Sequence, residues 1–148
     1  MALEDRIDDG HATLVSFGDF PSVEFYERTV KLPGMDGGPL IDTTGMRNTV
    51  YRTFSERALK TLTQMTLVCA YTSEFFADAN MNAMVNVNQL VTVELPDGAT
   101  WEFYAVVNSV DFSPNTEGEQ PLATITVTPT NTHPTTKVET APVHTPAP

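Results

Sequence analysis

With 148 residues, 41% of them apolar, the chain is long enough to bury one real core without disulfide or metal staples, which excludes wholesale disorder. Its 8 basic and 19 acidic side chains leave a formal charge of −11, which argues against a phosphate-neutralising nucleic-acid binder and against docking on an anionic membrane. The single cysteine, Cys69, excludes an internal disulfide framework.

Residues 1–13, opening "MALEDRIDDGH", read as a flexible polar segment without the apolar stretch of a signal peptide. No apolar run approaches the length of a bilayer span, so the expectation is a soluble chain folded in a cytoplasm. A β domain is expected over 14–131. Strand signals begin with "VEFYERTVKL" (Val23 to Leu32), where β-branched and aromatic residues cluster. Then comes a long loop, 33–48, whose core, "GGPLIDTTGMRNT", shows neither helical nor strand periodicity. Strands resume with "TVYRTF" (Thr49 to Phe54) and "LTQMTLVCAY" (Leu62 to Tyr71).

One short helix is expected at about 73–84, with Ser73 as N-cap, Glu74 in the first turn and Phe76, Ala79, Ala83 and Val87 at helical spacing. "LVTVEL" (Leu90 to Leu95) and "TWEFYAVVNSVDF" (Thr100 to Phe112) flank the Pro-Asp-Gly turn of a hairpin. In "LATITVTP" (Leu122 to Pro129), Ala123, Ile125 and Val127 share one face and Thr124, Thr126 and Thr128 the other. The Pro/Thr-rich segment 132–148 offers almost nothing to bury and reads as a disordered tail. The fold class is mainly β: a sandwich or partly rolled barrel with one short helix and a long irregular loop.

No catalytic residue, metal site or cofactor emerges. His11, His133 and His144 all lie outside the expected core, and no spacing matches a zinc, calcium or phosphate-cradling motif. Gly37 and Gly38 read as turn glycines without the rest of a phosphate loop. Cys69, between Val68 and Ala70, reads as a small buried hydrophobe without the electropositive neighbours of a nucleophile. Trp101 and Phe103 fall on one strand face and Tyr104 on the other, which favours core roles over a stacking platform. Charge is uneven: Arg47, Arg52, Arg57 and Lys60 stand with one acid, Glu56, in a chain otherwise strongly acidic. That basic stretch reads either as a docking surface for another copy or as a solvated mixed-charge loop.

Three stretches carry a resemblance: "KLPGMDGGPLIDTTGMRNTVYRT", "NVNQLVTVELPDGATWEFYAVVNSVDF" and "EGEQPLATITVTPTN". Each is short, but their order and spacing over roughly residues 30 to 131 resemble tail tube proteins (major tail proteins) of long-tailed bacteriophages, most like the non-contractile, siphovirus type. The resemblance implies hexameric rings stacked into a hollow tube, with strands of neighbouring copies continuing one another around the lumen. The family's long loop reaches the adjoining ring. By motif that role falls on Gly37, Gly38, Asp42, Thr43, Thr44, Met46, Arg47 and Asn48, with Arg52 on the strand that follows.

The implied partners are further copies of the chain, a tape-measure protein, a tail terminator and distal tail proteins. Phage DNA passes through the lumen without specific binding, and no membrane is involved. Glu94, Asp97 and Glu102 are candidates for an acidic lumen wall. Two rival readings stand beside this one: another virion part of related fold (tail terminator or capsid decoration protein), and a monomeric β-sandwich binding module.

Overall fold

The computed structural model describes residues 11–18, 25–72, 78–146 and 148. A single antiparallel sheet dominates it. Strands β1 (Leu14–Phe17), β2 (Glu27–Lys31), β7 (Met65–Ala70), β8 (Asn88–Glu94), β9 (Thr100–Phe112) and β10 (Leu122–Pro129) run in the order β1-β8-β9-β10-β7-β2. The strand faces alternate as period 2 demands: Ala123, Ile125 and Val127 of β10 are buried, while Thr124, Thr126 and Thr128 face outward.

The sheet rolls until its two ends meet. The Val15 N–H donates to Glu27 Oε1 at 3.1 Å, and the Phe17 and Phe25 rings meet edge-on at 5.4 Å. The buried faces of β1, β7, β8, β9 and β10, with half-buried Val30 of β2 packed against them, then enclose one core, with Phe17, Met65, Leu67, Val91, Val93, Phe103 and Ile125 inside. Curling a sheet on itself buries one face without a second layer and brings its edges together. The mainly β class is as expected, and of the two forms the sequence left open, sandwich or partly rolled barrel, the sheet takes the second.

Helix α1 (Asp78–Met84) presents Met84, fully buried, and with Met81 and Val85 packs on the core, while Ala83 is exposed. The inward side chains described are thus methionines, and of the expected stripe Ala83 is exposed and Val87 half-buried. Ser73, Glu74, Phe75 and Phe76 lie outside the described residues. No helix among those residues is long and apolar enough to cross a membrane.

Among the described residues Gln89 is the one buried polar side chain, and its amide finds no hydrogen-bond partner there. An unsatisfied buried amide carries its desolvation penalty uncompensated. Gln89→Met, close in volume, is expected to raise stability by about 1–2 kcal/mol in urea unfolding.

Cys69 is fully buried on β7, and burial followed by the nearby Glu27 carboxylate pushes its thiol up to about 11. The thiol is therefore inert to disulfide reagents at pH 8 in the folded chain. Its neutral form is favoured by folding, so its contribution is intact below pH 9 and is lost as pH rises toward 11. The loss should be on the order of 2–3 kcal/mol, read from urea midpoints across that window.

Candidate assembly arm and outer sheet face

Between β2 and β7 the chain does not wander as a loop. Strands β3 (Met35–Asp36) and β6 (Thr61–Leu62) pair, and β4 (Ile41–Asp42) pairs with β5 (Phe54–Ser55). Both ladders continue the register of β2 on β7, with a single extra residue on the returning side. Residues 32–64 are thus one long hairpin extension that leaves the barrel as a two-stranded arm. At about 3.3 Å per residue, the run from Leu32 to the turn at Gly45 spans at most about 43 Å.

The arm is built by its own polar side chains. Asp36 Oδ1 accepts from the Gly38 N–H at 2.9 Å, where Gly38 takes the positive φ (76°) that glycine tolerates. Asp42 Oδ1 accepts from the Thr44 N–H at 2.9 Å, and Arg52 lies 3.5 Å from its other oxygen. Thr44 is what holds the Asp42 carboxyl below its ordinary range. Thr43 Oγ1 bonds Thr53 Oγ1 at 3.0 Å, and the Thr53 N–H donates to Thr44 Oγ1 at 3.0 Å. At the tip, Asn48 Oδ1 accepts from the Gly45 N–H and its amide donates to the Tyr51 carbonyl, each at 2.9 Å.

The sequence-derived loop residues therefore divide. Asp42, Thr43, Thr44, Asn48 and Arg52 are engaged within the arm, and Gly37 and Gly38 sit in the link between its two ladders. Met46 and Arg47 form the exposed tip, and Arg47 has no hydrogen-bond or ionic partner among the described residues. Sequence reasoning missed Val50, Tyr51 and Leu59, which with Met46 are more than three-quarters exposed. The "TVYRTF" run has the composition of a strand. Here its apolar side chains stand in solvent, and only Phe54 belongs to a ladder. Most large apolar side chains exposed among the described residues lie on this arm.

The second surface is the outward face of the barrel. Thr66, Thr92, Thr100, Thr124, Thr126 and Thr128 line it in register across β7, β10, β9 and β8. Glu94 and Glu102 stand on this face, diagonal to one another across the Thr92–Glu102 and Glu94–Thr100 pairs. Asp97 does not join them: its Oδ1 accepts from the Ala99 N–H at 3.0 Å and builds the hairpin turn. A bulge between Thr126 and Val127 shifts the register and turns Asp111, opposite Thr124, to the same face. No sequence pattern announced that shift.

The tail is a correction to the expected disorder. Strand β11 (Val143–Thr145) pairs with β9 at Thr100–Glu102, and Thr132 bridges Glu139. Hydrogen bonding, rather than apolar burial, orders it: Asn88 Nδ2 donates to the Thr132 carbonyl at 2.9 Å, and His133 Nδ1 accepts from the Thr135 N–H at 3.1 Å. His144 packs against Trp101 with ring centroids 4.7 Å apart and planes tilted by 42°. Among the described residues no group of three His, Cys, Asp or Glu side chains is placed to hold a metal.

No family model matches the sequence, and no curated protein matches it. Solved structures do match its fold. A chain of the anti-feeding prophage (AFP) baseplate, a cryo-EM structure with 6-fold symmetrisation, is 12% identical over 88% of this chain and 94% of its own, with a TM-score of 0.61. A chain of the native gene transfer agent (GTA) virion is 12% identical over 94% and 99%, with a TM-score of 0.63. A chain in the tail of the empty GTA particle, refined helically with C6 symmetry, is 12% identical over 84% and 95%, with a TM-score of 0.60. This chain has the fold of subunits found in tail and baseplate assemblies of these phage-related particles.

Proposed function

We propose that the chain is a structural virion protein that polymerises as stacked, six-membered rings into the tube of a phage tail, an acidic-lined conduit for DNA. The observation that carries this reading is the arm. It is a self-built ribbon whose apolar tip finds no cover on its own barrel, on a fold shared with chains of symmetric tail assemblies. Exposed apolar patches on a soluble chain mark a protein partner. A tip that reaches tens of ångströms beyond the barrel contacts another copy head to tail, and such a contact repeats into a filament. Other tail proteins must then set its length: a tape-measure protein, a terminator and the distal tail components.

The lumen wall is the threonine-rich outer face with Glu94, Glu102 and Asp111. Nothing in this mechanism is catalytic. Negative-stain imaging of the purified chain at rising concentration is the test. Hollow filaments are expected. Closed rings or trimers alone would mark a terminator or decoration protein, and monomers throughout would mark a binding module.

A further inference from the structure

The last strand occupies a vacancy in the middle of the sheet. Strand β8 takes one edge of β9 from Thr100 to Val106. On the other edge β10 pairs from Ala105 onward, and the Thr130 N–H reaches the Tyr104 carbonyl at 2.9 Å. The Thr100–Glu102 stretch of that edge belongs to neither β10 nor its continuation, and β11 fills it. An open edge on a central strand is a template for another strand.

What holds β11 differs from what holds the chain just before it. Residues 131–140 are rooted. The Thr140 N–H donates to the Asn131 carbonyl at 2.8 Å, Asn88 binds Thr132, and the His133 ring meets Tyr104 at 5.3 Å. Beyond this root, Ala141 is exposed, and so are all three residues of β11. Its ties are a three-residue ladder, the tilted His144–Trp101 ring contact, and Pro142 at an apolar recess that Leu32, Leu62, Trp101 and Phe103 help to line. A strand with few buried contacts on a fixed root belongs to the low-stability end of a fold.

We infer that the β9 edge at Thr100–Glu102 is a strand-acceptor site for β11 of a second copy, exchanged between side-by-side subunits on assembly. The inference rests on the tube reading above. The slot fits its guest because the guest has the same sequence as the strand seated there, so exchange keeps every contact and adds a covalent tether between subunits. Reach selects the donor. From Thr140 to Thr145 the chain spans at most about 18 Å, so only a copy in lateral contact can supply the strand. A copy one arm-length away along the tube axis is out of range. The arm then joins rings axially while β11 joins neighbours within a ring. Once rings hold subunits together, the high local concentration of acceptor edges favours exchange.

The test uses two full-length variants, Thr100→Cys and Thr145→Cys, each with Cys69→Ala, because these positions face one another in the β9–β11 ladder. Mixed under reducing conditions, co-assembled and then oxidised, they form a disulfide between the two different chains only if β11 has crossed over. A cross-linked heterodimer in tubes, absent from dilute monomer, is the expected result. Tubes without it overturn exchange and leave the tube reading standing. Failure of the wild-type chain to form filaments defeats both.

A second readout covers variants that do not assemble. Removing residues 141–148 should raise the concentration at which tubes form by on the order of tenfold or more. An unchanged onset overturns the inference. Trp101 is the only tryptophan, so its emission separates exchange from simple release. Exchange restores a His144 against it and leaves the spectrum of the free subunit, whereas truncation shifts it to the red.

Discussion

Replacing residues 37–60 by an Asn-Gly turn that joins Asp36 directly to Thr61 is expected to yield a folded monomer that forms no tubes at any concentration where the intact chain does. The shortened hairpin keeps the β3–β6 ladder, and Asn-Gly supplies the positive-φ turn that a two-residue connection needs. No residue of the excised segment belongs to the buried core, so urea unfolding should differ by less than about 1 kcal/mol.

Point changes divide along the line the geometry draws. Met46→Asp and Tyr51→Asp leave the fold untouched, because both side chains already stand in water, and each should weaken assembly at least tenfold if it is an anchor worth about 2 kcal/mol. Arg47→Glu reverses an unpartnered charge at the same tip and should act in the same direction. Asp42→Ala instead removes the acceptor of the Thr44 N–H and of Arg52, and should weaken assembly by loosening the arm rather than by losing a contact. Tubes of ordinary appearance from the armless chain would defeat the arm's proposed role in joining copies, whatever the point variants did, while leaving tube formation itself standing.

The parts of this fold that were legible in the sequence are those where one face is buried. Strands β9 and β10 have the expected bounds, Thr100 to Phe112 and Leu122 to Pro129, because alternation and burial point to the same residues. The Pro-Asp-Gly turn likewise closes the hairpin between β8 and β9: the Leu95 N–H donates to the Ala99 carbonyl at 2.8 Å. Strand β8 starts earlier than expected, at Asn88, since Asn88 and Gln89 carry no apolar signal although Gln89 points inward.

The arm was illegible as a ribbon for a physical reason. Neither of its faces is buried, so nothing selects alternation, and its register is inherited from β2 and β7 instead. The same absence of burial hid the tail strand, which pairs through backbone groups that composition does not reveal. For the surfaces, the glycine-threonine stretch divides between residues that build the arm and residues left exposed at its tip. The free ones on the returning side, Val50, Tyr51 and Leu59, look in sequence like any strand former. Solvent exposure, which one sequence does not display, is what sets them apart.

Charge reversal on the outer sheet face is expected to change what the tube does without changing whether it forms. Glu94→Lys with Glu102→Lys alters each subunit by four charges on the face that carries Asp111 and, at its far side, Lys31 paired with Thr66. Neither glutamate is fully buried, and neither makes an ion pair among the described residues, so the subunit should fold normally. In tubes, the proposed wall should then pass from repelling phosphate to attracting it.

Counterion release makes that attraction steep. Each phosphate neutralised adds close to one unit to the slope of log affinity against log salt, so retention of double-stranded DNA should fall by about 10³-fold or more between 50 and 200 mM salt if some six contacts form per bound stretch. Wild-type tubes should hold no DNA even at low salt, where screening reaches farther than the roughly 8 Å of physiological ionic strength. The measurement is DNA retained by sedimented tubes across a salt series, with a Glu56→Lys variant as the arm-side control, since Glu56 lies on the arm and not on this face. Salt-sensitive capture by the double variant alone assigns the wall to Glu94 and Glu102. Equal capture by the control would place DNA on the outside of the tube and remove these carboxylates from the lumen.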